Sequence, residues 1–149
     1  MPEERTLGTA IYVHSKLTYD KIVTRSNYLQ ASIIKLYLPD KKNITICNIY
    51  NQPAFKYDLG QLSNLLSNLQ APLLIVGDFN AHHHIWDTTI EEENQAGLCI
   101  EQLINDNNLC CLNDENTPTY FSKSYGTFSS IDLSLCTLDL IEKLEWNVV

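Results

Sequence analysis

Apolar residues recur along the chain with two periods, which predict helices and strands. One helical stripe combines Leu59, Leu62, Leu65, Leu66 and Leu69 and ends at Ala71-Pro72. A second runs through Leu98, Ile100, Leu103 and Ile104 and ends at Asn107-Asn108. Alternation predicts strands over 28–38 and 44–50, and the turn-forming segment 39–43 between them predicts an antiparallel pair.

Shorter apolar runs predict further strands. These cover residues 9–13, 73–76, 109–112 and 144–149, with a β pair made of 119–121 and 128–135 around 123–126. The order of the elements predicts a layered α/β protein, a sandwich with mixed β-sheets. No linker or repeat interrupts the pattern, so residues 1–149 are expected to form a single, partial domain.

The polar residues that follow the strand 73–76 are the first candidates for chemistry. Asp78 and Asn80 stand two residues apart, a spacing that puts side chains on one side of a strand end. An anion beside a neutral donor suits phosphodiester hydrolysis, since the anion can orient or deprotonate a water while the amide holds a phosphoryl oxygen. On spacing alone, an Asx turn without catalytic meaning is the commoner outcome.

A wider set of motifs narrows this choice. The run Gly77-Asp78-Phe79-Asn80-Ala81-His82-His83, with Trp86 soon after, resembles the endonuclease/exonuclease/phosphatase family, the fold group of DNase I. More narrowly, it resembles the endonuclease domain of non-LTR retrotransposons. Further matches follow in the same order: Asn48-Ile49-Tyr50 with Pro53 upstream, and 119–122, 127–132 and a Leu-Ser-Leu strand downstream.

The resemblance implies a DNase I-like fold, a Mg²⁺ or Mn²⁺ cofactor, a DNA substrate and a set of site residues. Asp78 would be the base or water-orienting group and a metal ligand, and Asp132 would orient a catalytic histidine. The implied phosphate and substrate contacts are Tyr50, Asn80, Thr119, Ser129 and His82. Without the resemblance, Tyr50 could equally cap a core edge, and Thr119 and Ser129 would be ordinary strand residues.

Two features of the residues themselves bear on these roles. Asp132 lies in the apolar run 130–135, and a buried carboxylate is costly unless it is paired, which indicates a functional or hydrogen-bonded structural role. His82-His83-His84 invites a zinc site, but three consecutive side chains cannot all converge on one ion. They are better placed in the loop after the Asp78 strand, with Trp86 packed behind it.

Composition places limits on partners and compartment. No uncharged apolar stretch approaches the roughly 18 residues of a membrane span. The start of the chain lacks a signal segment, and five cysteines without CxxC spacing indicate reduced thiols with no disulfide partner, hence an intracellular protein. The resemblance implies a nuclear location for the parent element. The net charge of −8 argues against tight DNA binding, because a sequence-independent grip needs a basic face.

Two groups that the family uses are not found in this sequence. The resemblance implies an Asn and a metal-binding Glu on strands before residue 8, and a Ser-Asp-His motif after the last strand; the histidines here are His14 and the triplet. The chain is therefore expected to be a fragment, cut at both ends and inactive alone. Two alternatives stay open: the same fold acting on a small phosphoester, and a degenerate, non-catalytic copy or interaction module.

Overall fold

Eight strands and two α-helices form the part of the chain described by the computed structural model, which is residues 8–24, 30–53 and 58–149. The strands are β1 Thr18–Ile22, β2 Gln30–Tyr37, β3 Asn43–Tyr50, β4 Leu73–Asp78, β5 Leu109–Cys111, β6 Tyr120–Ser122, β7 Thr127–Ser129 and β8 Asp132–Thr137. The helices are α1 Leu59–Ser67 and α2 Gln95–Asp106, and a 3₁₀ turn covers Leu138–Leu140. Both predicted helices are thus confirmed.

Six strands form one mixed sheet in the order β1-β2-β3-β4-β8-β5. Only β3 and β4 are parallel, with α1 as the crossover between them, and the other neighbours are antiparallel. The remaining strands, β6 and β7, pair only with each other as a hairpin. The α/β class with a mixed sheet, predicted from the order of the elements, is confirmed.

Both helices pack on the same face of the sheet. Leu62 of α1 and Ile100 of α2 are about as buried as Ile49, Ile75 and Leu135 of the strands, all at 1% exposure or less. The leucine stripes supply this contact, because residues three and four apart share one side of a helix. Residues at alternate strand positions point to the opposite face, where the polar row described below lies.

Gly77 allows β3 and β4 to lie in register up to the site. Its φ of 143° is one that residues with a side chain rarely adopt, and a Cβ built there would lie 1.8 Å from the carbonyl oxygen of Ile49. Only glycine fits such a close backbone approach. The Gly that precedes Asp78 is therefore a requirement of the sheet and not of the chemistry.

Several predicted boundaries are wrong. Residues 9–13 form no strand: the Thr9 carbonyl accepts from Ser32 Oγ at 2.8 Å, and the Ala10 carbonyl accepts from Asn48 Nδ2 at 3.0 Å. This segment is therefore held by side chains of β2 and β3, not by a backbone ladder. Residues 144–149 are likewise not a strand, and the predicted strand 128–135 is divided into β7 and β8 at residues 130–131.

Two further differences concern the first half of the chain. The sequence pattern missed β1, an edge strand whose residues are mostly exposed. Residues 28 and 29, the predicted beginning of the second strand, lie outside the described residues. The basic residues Arg25 and Lys56 do as well.

All five cysteines are free thiols, and burial raises the pKa of Cys47 to about 12. Cys47 is thus neutral at physiological pH and serves packing. In the described ranges, neither helix has the length and apolarity to cross a membrane.

Candidate active site at one end of the mixed sheet

Four consecutive strands bring four polar residues into one row. Gln30 of β2 pairs with Tyr50 of β3, Tyr50 pairs with Asp78 of β4, and Asp78 pairs with Asp132 of β8. Laterally paired residues point to the same face of a sheet, which here is the face opposite the helices. Tyr50, Asp78 and Asp132, inferred separately from the sequence, are therefore neighbours in space.

Asp78 occupies the middle of this row and is half-buried. Burial raises the pKa of its carboxyl above the ordinary value, a hydrogen bond from the Asn80 N–H lowers it, and the negative charge of Asp132 raises it again. Desolvation outweighs the hydrogen bond because an ionised carboxylate loses more from leaving water than one neutral donor returns. The net direction is upward, toward the range of a general base.

Asn80 does not share a strand face with Asp78, so the spacing argument was wrong in its geometry. Asn80 lies beyond β4 with a φ of 46°, in the left-handed region. Its N–H donates to Asp78 Oδ1 at 3.0 Å, the Asx turn that the sequence also allowed, and its Nδ2 donates to the Asn51 carbonyl at 2.7 Å. The turn thus joins the Asn80 backbone to the Asp78 side chain, and the strand alternation does not relate the two residues.

Asp132 is exposed, which corrects the expectation that it is buried in an apolar strand. It is the first residue of β8, and it belongs to the row on the face of the sheet opposite the helices. Its backbone N–H donates to Thr119 Oγ1 at 3.1 Å, and its carbonyl accepts from Asn113 Nδ2 at 2.8 Å. Thr119 is thus placed directly beside Asp132.

A groove of about 800 Å³ opens next to the row, between the loop after β4 and the β6–β7 hairpin. Its lining includes Asn80, His82, Ser129, Tyr120, Phe128 and Glu92. Phe128 is 60% exposed and its ring lies 4.7 Å from that of Phe121 across the hairpin. The groove is therefore lined by aromatic residues of the hairpin, by acidic residues of the loop, and by the predicted residues His82 and Ser129.

The three histidines lie in different surroundings. His82 lines the groove, His84 is exposed, and His83 is buried, with Nε2 lying 3.1 Å from Glu93 Oε1. Trp86 is fully buried 5.1 Å from the His83 ring and donates its indole N–H to the Ala81 carbonyl at 3.1 Å. The prediction of a loop backed by Trp86 is confirmed.

Metal ligands at the site are few. Across the described ranges, no group of three or more His, Cys, Asp and Glu side chains could hold a metal ion. The pair Asp78 and Asp132 remains, and magnesium commonly binds proteins through one or two carboxylates, with water and substrate phosphate completing its shell.

The family follows from a match that covers most of the site. The model of a family described as endonuclease-reverse transcriptase matches residues 44–149, more than two-thirds of the chain. The chain belongs to the endonuclease–reverse transcriptase family. The matched residues include Tyr50, Asp78, Asn80, Thr119 and Asp132 of the site, whereas Gln30 lies before them. No curated protein matches the sequence.

A solved structure supports the fold of this endonuclease–reverse transcriptase chain. The chain is similar to the solved structure of the endonuclease domain of TRAS1, a telomere-specific non-LTR retrotransposon, with a TM-score of 0.73 and 19% sequence identity. The similarity covers 87% of this chain but 59% of the TRAS1 chain. It shows the α/β fold of DNase I-like endonuclease domains, as the motifs predicted.

Sequence reasoning missed four residues of this family member's site. Gln30 stands in the row, and its buried Oε1 has no hydrogen-bond partner among the described residues. Asp87, Asn51 and Asn94 fasten the loops around the row. Asp87 accepts from Thr89 N at 3.0 Å, Thr89 Oγ1 at 2.6 Å and Ser130 N at 2.9 Å. The Asp-x-Thr spacing and an Asn three residues before Gly97 were the available signals.

Proposed function

We propose that this chain is part of a retrotransposon endonuclease that hydrolyses a phosphodiester bond of DNA at the row Tyr50, Asp78 and Asp132. The observation that carries the proposal is the register, which sets a half-buried carboxylate of raised pKa between a tyrosine and a second carboxylate. Membership of the endonuclease–reverse transcriptase family supports the reaction class. The chain spans 59% of the length of the TRAS1 chain. The nuclease activity of a whole endonuclease domain is therefore proposed for this chain and not shown by the similarity.

Asp78 would orient or deprotonate the attacking water. A general base works best when its pKa lies near the working pH, and burial together with Asp132 moves the pKa of Asp78 in that direction. Its Oδ1 is engaged by the Asn80 N–H, which leaves Oδ2 as the oxygen that would face the water.

Three side chains around the row would hold the phosphate. Thr119 Oγ1 accepts from the Asp132 N–H, so its own O–H proton is directed to another acceptor. One N–H of the Asn80 amide is used by Asn51, and the second would donate to a phosphoryl oxygen. Tyr50 would contribute its O–H from the neighbouring strand. Such donors stabilise charge that develops on the phosphate.

Asp78 and Asp132 would hold a Mg²⁺ or Mn²⁺ ion. They fit a divalent cation because the negative charge of Asp132 raises the electrostatic cost of ionising Asp78, and a cation between them would relieve that repulsion. When bound, the ion would supply positive charge for the phosphate in the transition state.

The groove beside the row would take the DNA. Aromatic faces such as Tyr120 and Phe128 offer stacking surface, and Ser129 and His82 offer polar contacts. Glu92 on the other wall would repel phosphate, so we place the sugar–phosphate backbone over the row and the bases toward the hairpin. The 149 residues alone are proposed to be inactive or nearly so, because Asp78 and Asp132 are their only carboxylates in the row.

Relaxation of a supercoiled plasmid in Mg²⁺ tests the proposal, with the 149-residue chain and with the longer reading frame that contains it. Asp78→Asn should reduce nicking by on the order of 10²–10⁴-fold. Asp114→Asn is the matched control, because Asp114 also accepts from the N–H two residues on, at 2.9 Å, but lies outside the row.

Three results would overturn the proposal. The first is an Asp78→Asn variant that nicks at the wild-type rate. The second is no nicking by either the 149-residue chain or the longer protein at any Mg²⁺ or Mn²⁺ concentration. Hydrolysis of p-nitrophenyl phosphate without nicking would point instead to a small phosphoester as the substrate.

A further inference from the structure

The conformation of Asn80 has to be maintained by its surroundings. A residue with a side chain in the left-handed region is uncommon and persists when neighbouring groups determine it. Two of its bonds, to Asp78 and to Asn51, fix the N–H and the side chain. The carbonyl is fixed by a third group, Asn94, which donates its Nδ2 to it at 2.9 Å.

The side-chain amide of Asn94 links the Asn80 carbonyl to α2 and to the loop that contains His82. Its Oδ1 accepts from the N–H of Gly97 at 2.7 Å, which caps α2, and from the N–H of His82 at 2.9 Å. Its backbone N–H donates to the His82 carbonyl at 3.2 Å. A helix cap needs only the acceptor oxygen, so the bond from Nδ2 to Asn80 is additional to capping.

The helix is packed onto the loop closely enough to make this linkage rigid. A Cβ at Gly97 would lie 1.9 Å from the His82 carbonyl oxygen, so the first turn of α2 touches the loop backbone directly. Any movement of Asn94 is therefore transmitted to both Asn80 and His82.

We propose that Asn94 is a positioning residue of the active site, which holds Asn80 in its left-handed conformation and so aims the Asn80 amide at the substrate phosphate. This rests on the role of Asn80 given under the proposed function. It adds a residue that contacts no substrate, and it makes the N-terminus of α2 the support of the loop.

The variant Asn94→Asp distinguishes the proposed positioning of Asn80 from the capping of α2. Asn94→Asp keeps an acceptor for Gly97 and His82 but cannot donate to the Asn80 carbonyl, and Asp caps a helix as well as Asn does. Asn107→Asp is the control on the same helix, because Asn107 also donates Nδ2 to one carbonyl, that of Leu103 at 2.9 Å, and the change adds the same charge.

The two variants should behave in opposite ways. Asn94→Asp should keep its urea midpoint while kcat/KM for plasmid nicking falls about ten- to a hundredfold, since small displacements of a binding group are costly. Asn107→Asp should lower the midpoint, because a negative charge at a helix C-terminus is unfavourable, and leave nicking per folded molecule unchanged. Equal losses of nicking in both variants would overturn the proposal.

Two further measurements make the test independent of the chemistry. The backbone ¹³C shifts of Asn80, which report φ, should move in Asn94→Asp and stay in Asn107→Asp; unchanged Asn80 shifts in Asn94→Asp would refute the positioning role. In nicking assays, adding Asn94→Asp to Asn80→Ala should cost no more than about twofold, because both act through one group. If Asn80→Ala nicks normally, the proposed function of Asn80 fails, while the shifts still decide whether Asn94 holds it.

Discussion

Single short side chains hold the loops at the end of the sheet where the site lies. Asp78, Asp87 and Asn94 each accept hydrogen bonds from nearby backbone N–H groups, and Asn51 donates to the Phe79 carbonyl at 3.3 Å. Buried backbone groups outside helices and ladders need such partners, and Asp and Asn have the reach to supply them. The residues that shape this site are therefore mostly of the same two types as the residues proposed to catalyse.

Asp87→Ala should lower the free energy of unfolding by about 2–4 kcal/mol. The change leaves the N–H of Ser130, a buried residue, without its partner and removes two more bonds to a charged acceptor. Asp114→Ala, which removes one exposed bond, should cost less than about 1 kcal/mol. Urea denaturation at pH 7 measures both, and equal effects would show that burial of the Asp87 carboxylate is energetically unimportant.

The stability advantage of Asp78→Asn over the wild type should grow as the pH rises. The pKa of Asp78 is raised in the folded state, so the native protein binds the proton more tightly than the unfolded chain does. Stability is therefore lost as the pH rises from below the unfolded value, about 3.9, through the folded one. Asparagine keeps the Oδ1 acceptor for Asn80 and has no charge to desolvate. Urea unfolding at acidic and neutral pH measures the difference.

Asp132→Asn gives an independent check of the same coupling. Removing this negative charge should lower the pKa of Asp78, since Asp132 raises it, and ¹³C NMR of the Asp78 carboxyl follows the titration. A rise in the Asp78 pKa in this variant would contradict the electrostatic coupling of the pair.

Helices and central strands were predictable because their burial imposes a period. Leu62 and Leu66 face the sheet and repeat at helical spacing, and β4 is a continuous apolar run between two neighbours. β1 was missed because it is an edge strand with almost no buried residues, so nothing in its composition alternates. Residues 9–13 have strand composition but are fastened by Ser32 and Asn48, a long-range contact that local pattern does not contain.

The site was partly predictable for the same reason. Motif order identified Tyr50, Asp78 and Asp132, and the register brings them together. Local rules misjudged Asp132, whose exposure depends on where β8 begins. They also misjudged Asn80, whose left-handed conformation depends on contacts from Asn51, just after β3, and from Asn94, the N-cap of α2. Asn94 is 14 residues beyond Asn80 in the chain, so only the folded structure relates them.

Gly97→Ala should destabilise the protein by about 1–3 kcal/mol, because the added Cβ would overlap the His82 carbonyl and force α2 away from the loop. Gly60→Ala is the matched change in the first turn of α1, where the Cβ would meet only the Asp58 side chain, at 3.1 Å. Its effect should stay within about 1 kcal/mol, the size of the helix-propensity difference. Thermal or urea unfolding compares them, and a neutral Gly97→Ala would mean that the helix and loop are not tightly joined.

Charge is distributed unevenly over the whole molecule. Residues 1–60 hold eight of the ten Lys and Arg residues, and residues 61–149 hold thirteen of the eighteen Asp and Glu residues. The site draws on both parts, since Tyr50 belongs to the first and Asp78 and Asp132 to the second. Any DNA bound there would thus meet two carboxylates that belong to the more acidic part of the sequence.

The 149-residue chain should bind duplex DNA weakly, with a Kd no tighter than about 10⁻⁵ M at physiological salt, within the range of non-specific binding. With 10 Lys and Arg residues against 18 Asp and Glu residues, the chain should neutralise few DNA phosphates. Its affinity should therefore change little between 50 and 200 mM salt, in contrast to a protein with many phosphate contacts. Fluorescence anisotropy with a labelled duplex measures both quantities. Nanomolar binding with a steep salt dependence would contradict this view of the surface.

The pairing of Gln30 with Tyr50 makes the length of the β2–β3 hairpin as restrictive as the identity of its residues. The turn after Tyr37 lies seven residues from Gln30, roughly 24 Å away along an extended strand. One residue inserted in β2 would rotate every side chain on one side of the insertion to the opposite face. Gln30 would then leave the row, although no residue of the site had been replaced. Among natural relatives of this chain, insertions and deletions in this hairpin should therefore be rarer than substitutions.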